Sequence, residues 1–360
     1  MDFSKIPVID NHCHLFDVAY QEHNLARMLN LSLNELQEEQ LTNTLVYRRL
    51  LRELSDTFGF EGSRKDAAFK ARELARKDYR AYVTKLFDDA VIDTLIIDLG
   101  YKPAQVSLTD FEDLVPSKVS YMFRIESVLD DLWKNGTGFK EAEGIFDEAV
   151  ENAGKDQKIV AFKSIIGYRT GLQINRQSRS SLLKECSEKE FRDYFLLRAM
   201  DAALKCHKPF QIHASFGESN INLLHNNPLM LREVLEDPAF RELSIILVHG
   251  GYPYSFEAGY LAAMYANVHL DMSEMVPLVP LGARSGLRDM MDMCPLNKLM
   301  YGSDGFVLPE IHWLGAKFAK QELGTIFDEL ISERYFEKEE AQIVALDIFY
   351  NTARRVYGLI

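Results

Sequence analysis

Cysteine is scarce in this chain. There are four in 360 residues (Cys13, Cys186, Cys206 and Cys294), and no two are spaced as C-x-x-C. The thiols are therefore expected to be reduced, as in a cytosolic protein. Positive charge is in deficit: 41 Lys and Arg stand against 54 Asp and Glu, a formal net charge of -13. An acidic surface repels a phosphate backbone, so no nucleic-acid partner is expected. No apolar run approaches the ~20 residues that cross a bilayer. Met1–Pro7 has no basic stretch leading into an apolar core, so no membrane association or secretory signal is expected, and the expected location is cytoplasmic. There is no Pro/Gly/Ser-rich linker, no repeat and no low-complexity segment. Residues 1–360 are thus expected to form a single domain.

What is present is ordinary globular composition, 47% hydrophobic and 26% charged. The first informative stretch is Val8-Ile9-Asp10-Asn11-His12-Cys13-His14-Leu15-Phe16. Side chains alternate along a strand, so His12 and His14 share a face and can hold one metal ion together. Cys13 points the other way and is read as packing. Seven more apolar runs follow, at 91–100, 119–126, 158–166, 209–216, 244–251, 268–274 and 298–305. Helical spacing fills the gaps between most of them, at 138–153, 180–206, 220–236, 255–266, 282–292 and 311–331, and residues 342–357 close the chain as an amphipathic helix. Eight runs alternating with helices predict an α/β chain folded as a (β/α)8 TIM barrel. The competing open doubly wound sheet usually carries a glycine-rich first turn, where this chain has His12-Cys13-His14. Residues 16–90 exceed an ordinary strand-to-helix loop and show helical spacing (Leu41, Leu45, Leu50, Leu54). They are read as a helical insertion after the first strand, capping the active-site face.

A barrel places its chemistry at the C-terminal ends of its strands. The polar residues fall there. Lys163 lies late in the fourth run, His213 in the fifth, His249 ends the sixth, and Asp304 lies near the end of the eighth. Burying such groups without partners is costly, and one metal centre satisfies them together. Imidazole and carboxylate donors without thiolate suit Zn, with Mn, Fe or Ni also compatible, as one or two ions. Such an ion activates water, and Asp304 is placed to move its proton. Lys163 is the awkward member, because an ammonium beside a dication is repelled. It must lie away, lose its proton or carry CO2 as a carbamate. His23, His207, His225, His269 and His312 are read as structural.

These residues resemble the amidohydrolase superfamily of metal-dependent barrels. The resemblance is closer to its amidohydrolase-related (amidohydrolase-2) branch, with Phe162–Arg169 and His249–Pro253 similar to the hydrolase-like domain associated with glutamine-synthetase-like proteins. It implies His12 and His14 on the more buried metal, Lys163 as the lysine of the fourth strand, His213 and His249 on strands five and six, and Asp304 on strand eight. Asp304 and His249 are the expected catalytic residues. The expected activity is hydrolysis of an amide, ester or lactone-like bond. A non-oxidative decarboxylase on the same scaffold is the alternative, a uronate-isomerase-like reaction is weaker, and a non-catalytic binding scaffold is the reading outside catalysis. The expected partner is a small anionic substrate, its carboxylate held by Arg169 with Tyr168 beside it and Arg124 as second candidate. For Arg124, pairing with Asp98 or Glu126 is the competing role. A homo-oligomer is left open.

Overall fold

The structure is a computed structural model that describes residues 1–101, 103 and 106–359. Eight strands run in chain order around one parallel sheet: β1 Val8–Cys13, β2 Ile92–Asp98, β3 Lys118–Arg124, β4 Ile159–Ser164, β5 Phe210–His213, β6 Ile245–Val248, β7 Val268–Asp271 and β8 Leu299–Met300. Each is parallel to the next. Parallel strands are covered on both faces, which is why they read as continuous apolar runs: β6 is Ile-Ile-Leu-Val, all buried.

The eighth run is shorter as a strand than residues 298–305 suggest. Its continuation nevertheless closes the barrel. The Asn11 N–H donates to Tyr301 O (3.1 Å), Asp304 N–H to His12 O (2.8 Å) and His14 N–H to Gly305 O (2.7 Å), and Phe16 bridges Val307. The (β/α)8 expectation holds. Inside the barrel, Ile9, Ile96, Met122, Ile246 and Met300 pack with Tyr357 of the C-terminal segment. The Tyr357 hydroxyl donates to Asn11 Oδ1 (2.9 Å) and accepts from Gln211 Nε2 (2.7 Å), so these interior groups pair with one another, while Gln211 Oε1 has no partner.

Three expected helices are broken, the first of them residues 180–206, which divide into Arg179–Leu182 and Glu188–Lys205. Residues 220–236 form short turns, Leu223–His225 and Pro228–Leu231, before the helix Arg232–Glu236. Asn222 and Asn227 accept from the backbone N–H two residues on, which favours turns over a continuous helix. The C-terminal helix divides into Lys338–Leu346 and Thr352–Val356 around a wider turn at Asp347–Asn351. No described helix is long and apolar enough to cross a membrane.

The 16–90 segment contains the helices Leu45–Phe58, Ala67–Lys77 and Tyr79–Ala90. Most of it lies on the barrel's flank, not over its mouth. Arg49 stacks on Phe318, and Lys317 bonds to Asp89 (2.8 Å), both on the helix Pro309–Ser332. The buried faces of these helices, including Val46, Leu50, Leu54, Val83 and Leu86, join the main core. Only the short stretch at Leu31 and Leu33 reaches the cavity described next. It is tied across the mouth by Ser219 N–H to Leu31 O (3.2 Å) and Leu33 N–H to Ser219 Oγ (3.1 Å).

Candidate metal centre

A cavity of about 270 Å³ opens at the C-terminal ends of the strands. All six ligands expected from the sequence line it: His12, His14, Lys163, His213, His249 and Asp304. So do Arg124, Tyr168 and Arg169.

His12 and His14 reach the same atom. Their Nε2 atoms lie 3.1 and 3.2 Å from Asp304 Oδ1. A second grouping joins His12 and Asp304 to His249. Asp304 is held in place from two sides. Its N–H donates to the His12 carbonyl, and its φ of 55° lies in the left-handed region. On either side of it, the Ser303 N–H and Oγ donate to Asp10 (2.8 and 2.5 Å), while Ser303 Oγ accepts from Gly305 N–H (2.8 Å). Asp10 therefore acts as a clamp on the loop that carries Asp304. Replacing it by alanine would strand buried Ser303 donors, at a cost of about 1–3 kcal/mol, and would lower metal affinity roughly 10- to 100-fold. Chemical denaturation and a metal titration of Asp10→Ala check both effects.

The turn after β6 aims His249. His249, Gly250 and Gly251 all have positive φ (72°, 64° and 61°), and a Cβ on Gly251 would meet Ala258 Cβ at 2.6 Å. Glycine is thus required there. The ring's tautomer follows from its neighbours. Ser273 Oγ donates its one proton to Asp271 Oδ1 (2.7 Å), so at 2.8 Å it accepts from His249 Nδ1–H. Nε2 is left as the lone-pair donor. His14 is held similarly by its Nδ1 at 3.3 Å from Asp98 O.

Burial keeps the imidazoles of His12, His213 and His249 neutral. Desolvation, followed by the nearby Lys163 charge, lowers His12 to about 4 and pushes His213 well below its ordinary value. Desolvation lowers Lys163 to about 8; it is fully buried, with Nζ 3.5 Å from His12 Nε2. Asp304 is held well below the carboxylate range, since the surrounding histidines outweigh the opposing effect of its burial. Neutral imidazoles around an ionised carboxylate are the donors a divalent cation needs. His12 Nδ1 and His213 Nε2 are buried without a hydrogen-bond partner. The residues therefore fit a metal.

The expected carboxylate-binding arginines already have partners. Arg124 makes a bidentate pair with buried Asp98 (2.6 Å at closest), the competing role foreseen for it. Arg169 pairs with Asp130 (2.6 Å), which Arg192 also contacts (2.7 Å). The Tyr168 hydroxyl donates to Glu218 and its ring lies 4.6 Å from that of His213. Sequence reading named Asp98, at the end of β2, only as a partner for Arg124, and passed over Glu274 just after β7 and Glu218 and Tyr101 in the cavity lining. The same signal, a carboxylate ending an apolar run, would have found Asp98 and Glu274. Cys13 is buried with Sγ near Ile96 O and does not line the cavity, as expected.

Comparison with known proteins agrees with this geometry. The amidohydrolase family model (Amidohydro_2) matches residues 181–359, the half that carries His213, His249 and Asp304. Protein fluG of Emericella nidulans is 27% identical over 399 residues, covering 98% of this chain and 46% of fluG. The chain thus spans about half the length of that curated relative. A crystal structure of a proposed metal-dependent hydrolase from Lactobacillus casei ATCC 334 superposes with a TM-score of 0.86 at 25% identity, covering 99% of this chain and 97% of that one. Glucuronate isomerase from Caulobacter crescentus shares the fold, with a TM-score of 0.64 at 18% identity over 99% and 92% of the two chains.

Proposed function

The chain belongs to the amidohydrolase family, and from that premise we propose that it is a metal-dependent hydrolase cleaving an amide, ester or lactone-like bond in a small carboxylate-bearing substrate. The observation that carries this reading is the convergence of His12 and His14 on one oxygen of Asp304, in a strand-end cavity also lined by His213 and His249.

His12, His14 and Asp304 would hold one divalent ion, zinc first. His213, His249 and a carbamylated Lys163 would hold a second. A carbamate turns the repelled ammonium into an anionic ligand, and a neutral amine, the form that reacts with CO2, is favoured by the burial that lowers Lys163 to about 8. The ions supply Lewis-acid activation of water and of the scissile carbonyl. Asp304 takes the proton of the attacking water and returns it to the leaving group. Leu31, Leu33 and Phe306 give the mouth an apolar rim that limits water entry. Arg169, with Tyr168 beside it, faces the substrate's carboxylate.

Dialysed protein should contain one to two equivalents of metal and should hydrolyse members of a mixed library of N-acyl amino acids, dipeptides and lactones. Protein that neither contains nor takes up Zn or Mn, or that only releases CO2 from aromatic carboxylates, would overturn the proposal. Arg169→Met tests the substrate's charge. Loss of one charged hydrogen-bond donor set should cost about 1.5–3 kcal/mol in kcat/KM for an acid substrate, and nearly nothing for its amide. The fold should survive, because Asp130 keeps Arg192. Equal losses for acid and amide would remove Arg169 from the carboxylate site.

A further inference from the structure

Glu274 has no part in the ligand set that the family resemblance implies, yet it occupies a costly position. It is 2% exposed, lies three residues beyond the end of β7 and lines the cavity. Its backbone, at φ 55° and ψ -52°, is a conformation rarely adopted by a residue with a Cβ. Strain of this kind gathers where a side chain must be aimed. The aim is maintained by its N–H, which donates to Ser303 O at 3.2 Å, beside the Asp304 loop. Its Oε2 is buried and has no hydrogen-bond partner. Among the described residues no lysine or arginine forms an ion pair with it, and its nearest ionisable nitrogen is His249 Nδ1 at 3.8 Å.

His213 Nε2 is the matching orphan. It too is buried and unpartnered. One donor atom each from His213, His249 and Glu274 lie within 4.8 Å of one another. Donors around a tetrahedral ion at about 2.0–2.2 Å are themselves about 3.4 Å apart, so the three are close to the spacing an ion requires. His249 also belongs to the grouping with His12 and Asp304, and stands between the two sites. Two neutral imidazoles and one carboxylate offer a dication a favourable, compact set of hard and borderline donors. A carboxylate also resolves the charge imbalance on that side of the cavity, where the unmodified lysine is cationic.

We propose that Glu274 is a ligand of the second ion, joining His213 and His249. The proposal rests on the metal-dependent reading above and adds a donor from the loop after the seventh strand to it. Glu274 then holds the second ion whether or not Lys163 is carbamylated, and its strained backbone is explained by the direction that coordination imposes.

The test is a stepwise metal titration of the metal-free protein with Zn and with Co(II), using a competing chelator, on wild type and Glu274→Gln. Two equivalents are expected in the wild type. In Glu274→Gln the first should bind as before, and the second should weaken roughly tenfold or more, with loss of its visible Co(II) absorption. Two equivalents at wild-type affinity in the variant would overturn the proposal and leave Glu274 facing substrate. A single wild-type equivalent, indifferent to Glu274→Gln, would overturn it as well. A wild type that binds no metal would sink the underlying reading instead. Should Glu274→Gln fail to fold, anomalous diffraction from zinc-loaded wild-type crystals decides the matter. A second zinc peak at bonding distance from the Glu274 carboxylate supports the assignment, and a peak bonded only elsewhere refutes it.

Discussion

Asp304→Asn should lose about 10²–10⁴-fold in kcat from its proton-transfer role alone, with a further loss from weakened metal binding. The replacement is nearly isosteric, so the loop geometry set by Asp10, Ser303 and the His12 carbonyl remains. What disappears is the negative charge that His12 and His14 face at 3.1 and 3.2 Å. An amide oxygen is a weaker ligand than a carboxylate and cannot carry a proton from water to the leaving group. The metal-free variant should unfold at a slightly lower denaturant concentration than the metal-free parent at neutral pH, since the surrounding histidines favour the ionised carboxylate in the folded state. Metal content, turnover and denaturation measured together separate these effects. Full turnover in a variant that retains its metal would take Asp304 out of the chemistry. A large loss of stability in the metal-free state would instead give it a structural role.

The second large effect concerns stability. Arg72, in the insertion, reaches Glu310 at the start of the helix Pro309–Ser332: Nη1 lies 2.6 Å from Oε1, and the two side chains are only 7% and 1% exposed. Tyr82 donates to the same oxygen at 3.0 Å, and Arg72 Nη2 donates to Gln21 O at 2.8 Å. This network ties the flanking helices to the barrel. Arg72→Met keeps much of the apolar stem but leaves the Glu310 carboxylate buried with a single hydroxyl. Breaking a buried pair on one side costs about 3–5 kcal/mol, against total stabilities of about 5–15 kcal/mol. The expected result is a large drop in the urea midpoint. The double variant Arg72→Met with Glu310→Gln should recover part of it, because no uncompensated charge remains. A loss below about 1 kcal/mol in Arg72→Met, of the size seen for solvated surface pairs, would mean that the pair is open to water and does not secure the insertion.

The helical insertion also shows where local pattern stops being informative. Its apolar spacing made the helices legible, and Leu45–Phe58 and Tyr79–Ala90 fall within the expected region. Their placement was not legible. An amphipathic face states that something covers it, not what, and here the cover is largely the barrel flank at Pro309–Ser332. Arg124 makes the same point for charge. It was chosen as a substrate binder because it ends a strand, but Asp98 on the neighbouring strand takes its guanidinium. A charge's partner depends on which strands lie side by side, and at what stagger.

Local chemistry along the chain determined the number and order of the strands, because parallel strands buried on both faces must be apolar throughout. It also singled out His12, His14, Lys163, His213, His249 and Asp304 as one group, because polar groups at the ends of such strands need a common reason to be there, and all six line one cavity. The tertiary structure alone decided the rest: the clamp of Asp10 on the Asp304 loop, the Ser273 and Asp271 chain that sets the His249 tautomer, the choice of Asp98 over substrate as the partner of Arg124, the pairing of Arg169 with Asp130, and the strained backbone that turns Glu274 toward His213 and His249. Strand-end chemistry is written residue by residue. These contacts join residues tens to hundreds of positions apart, and they exist only once the barrel closes and its register brings them together.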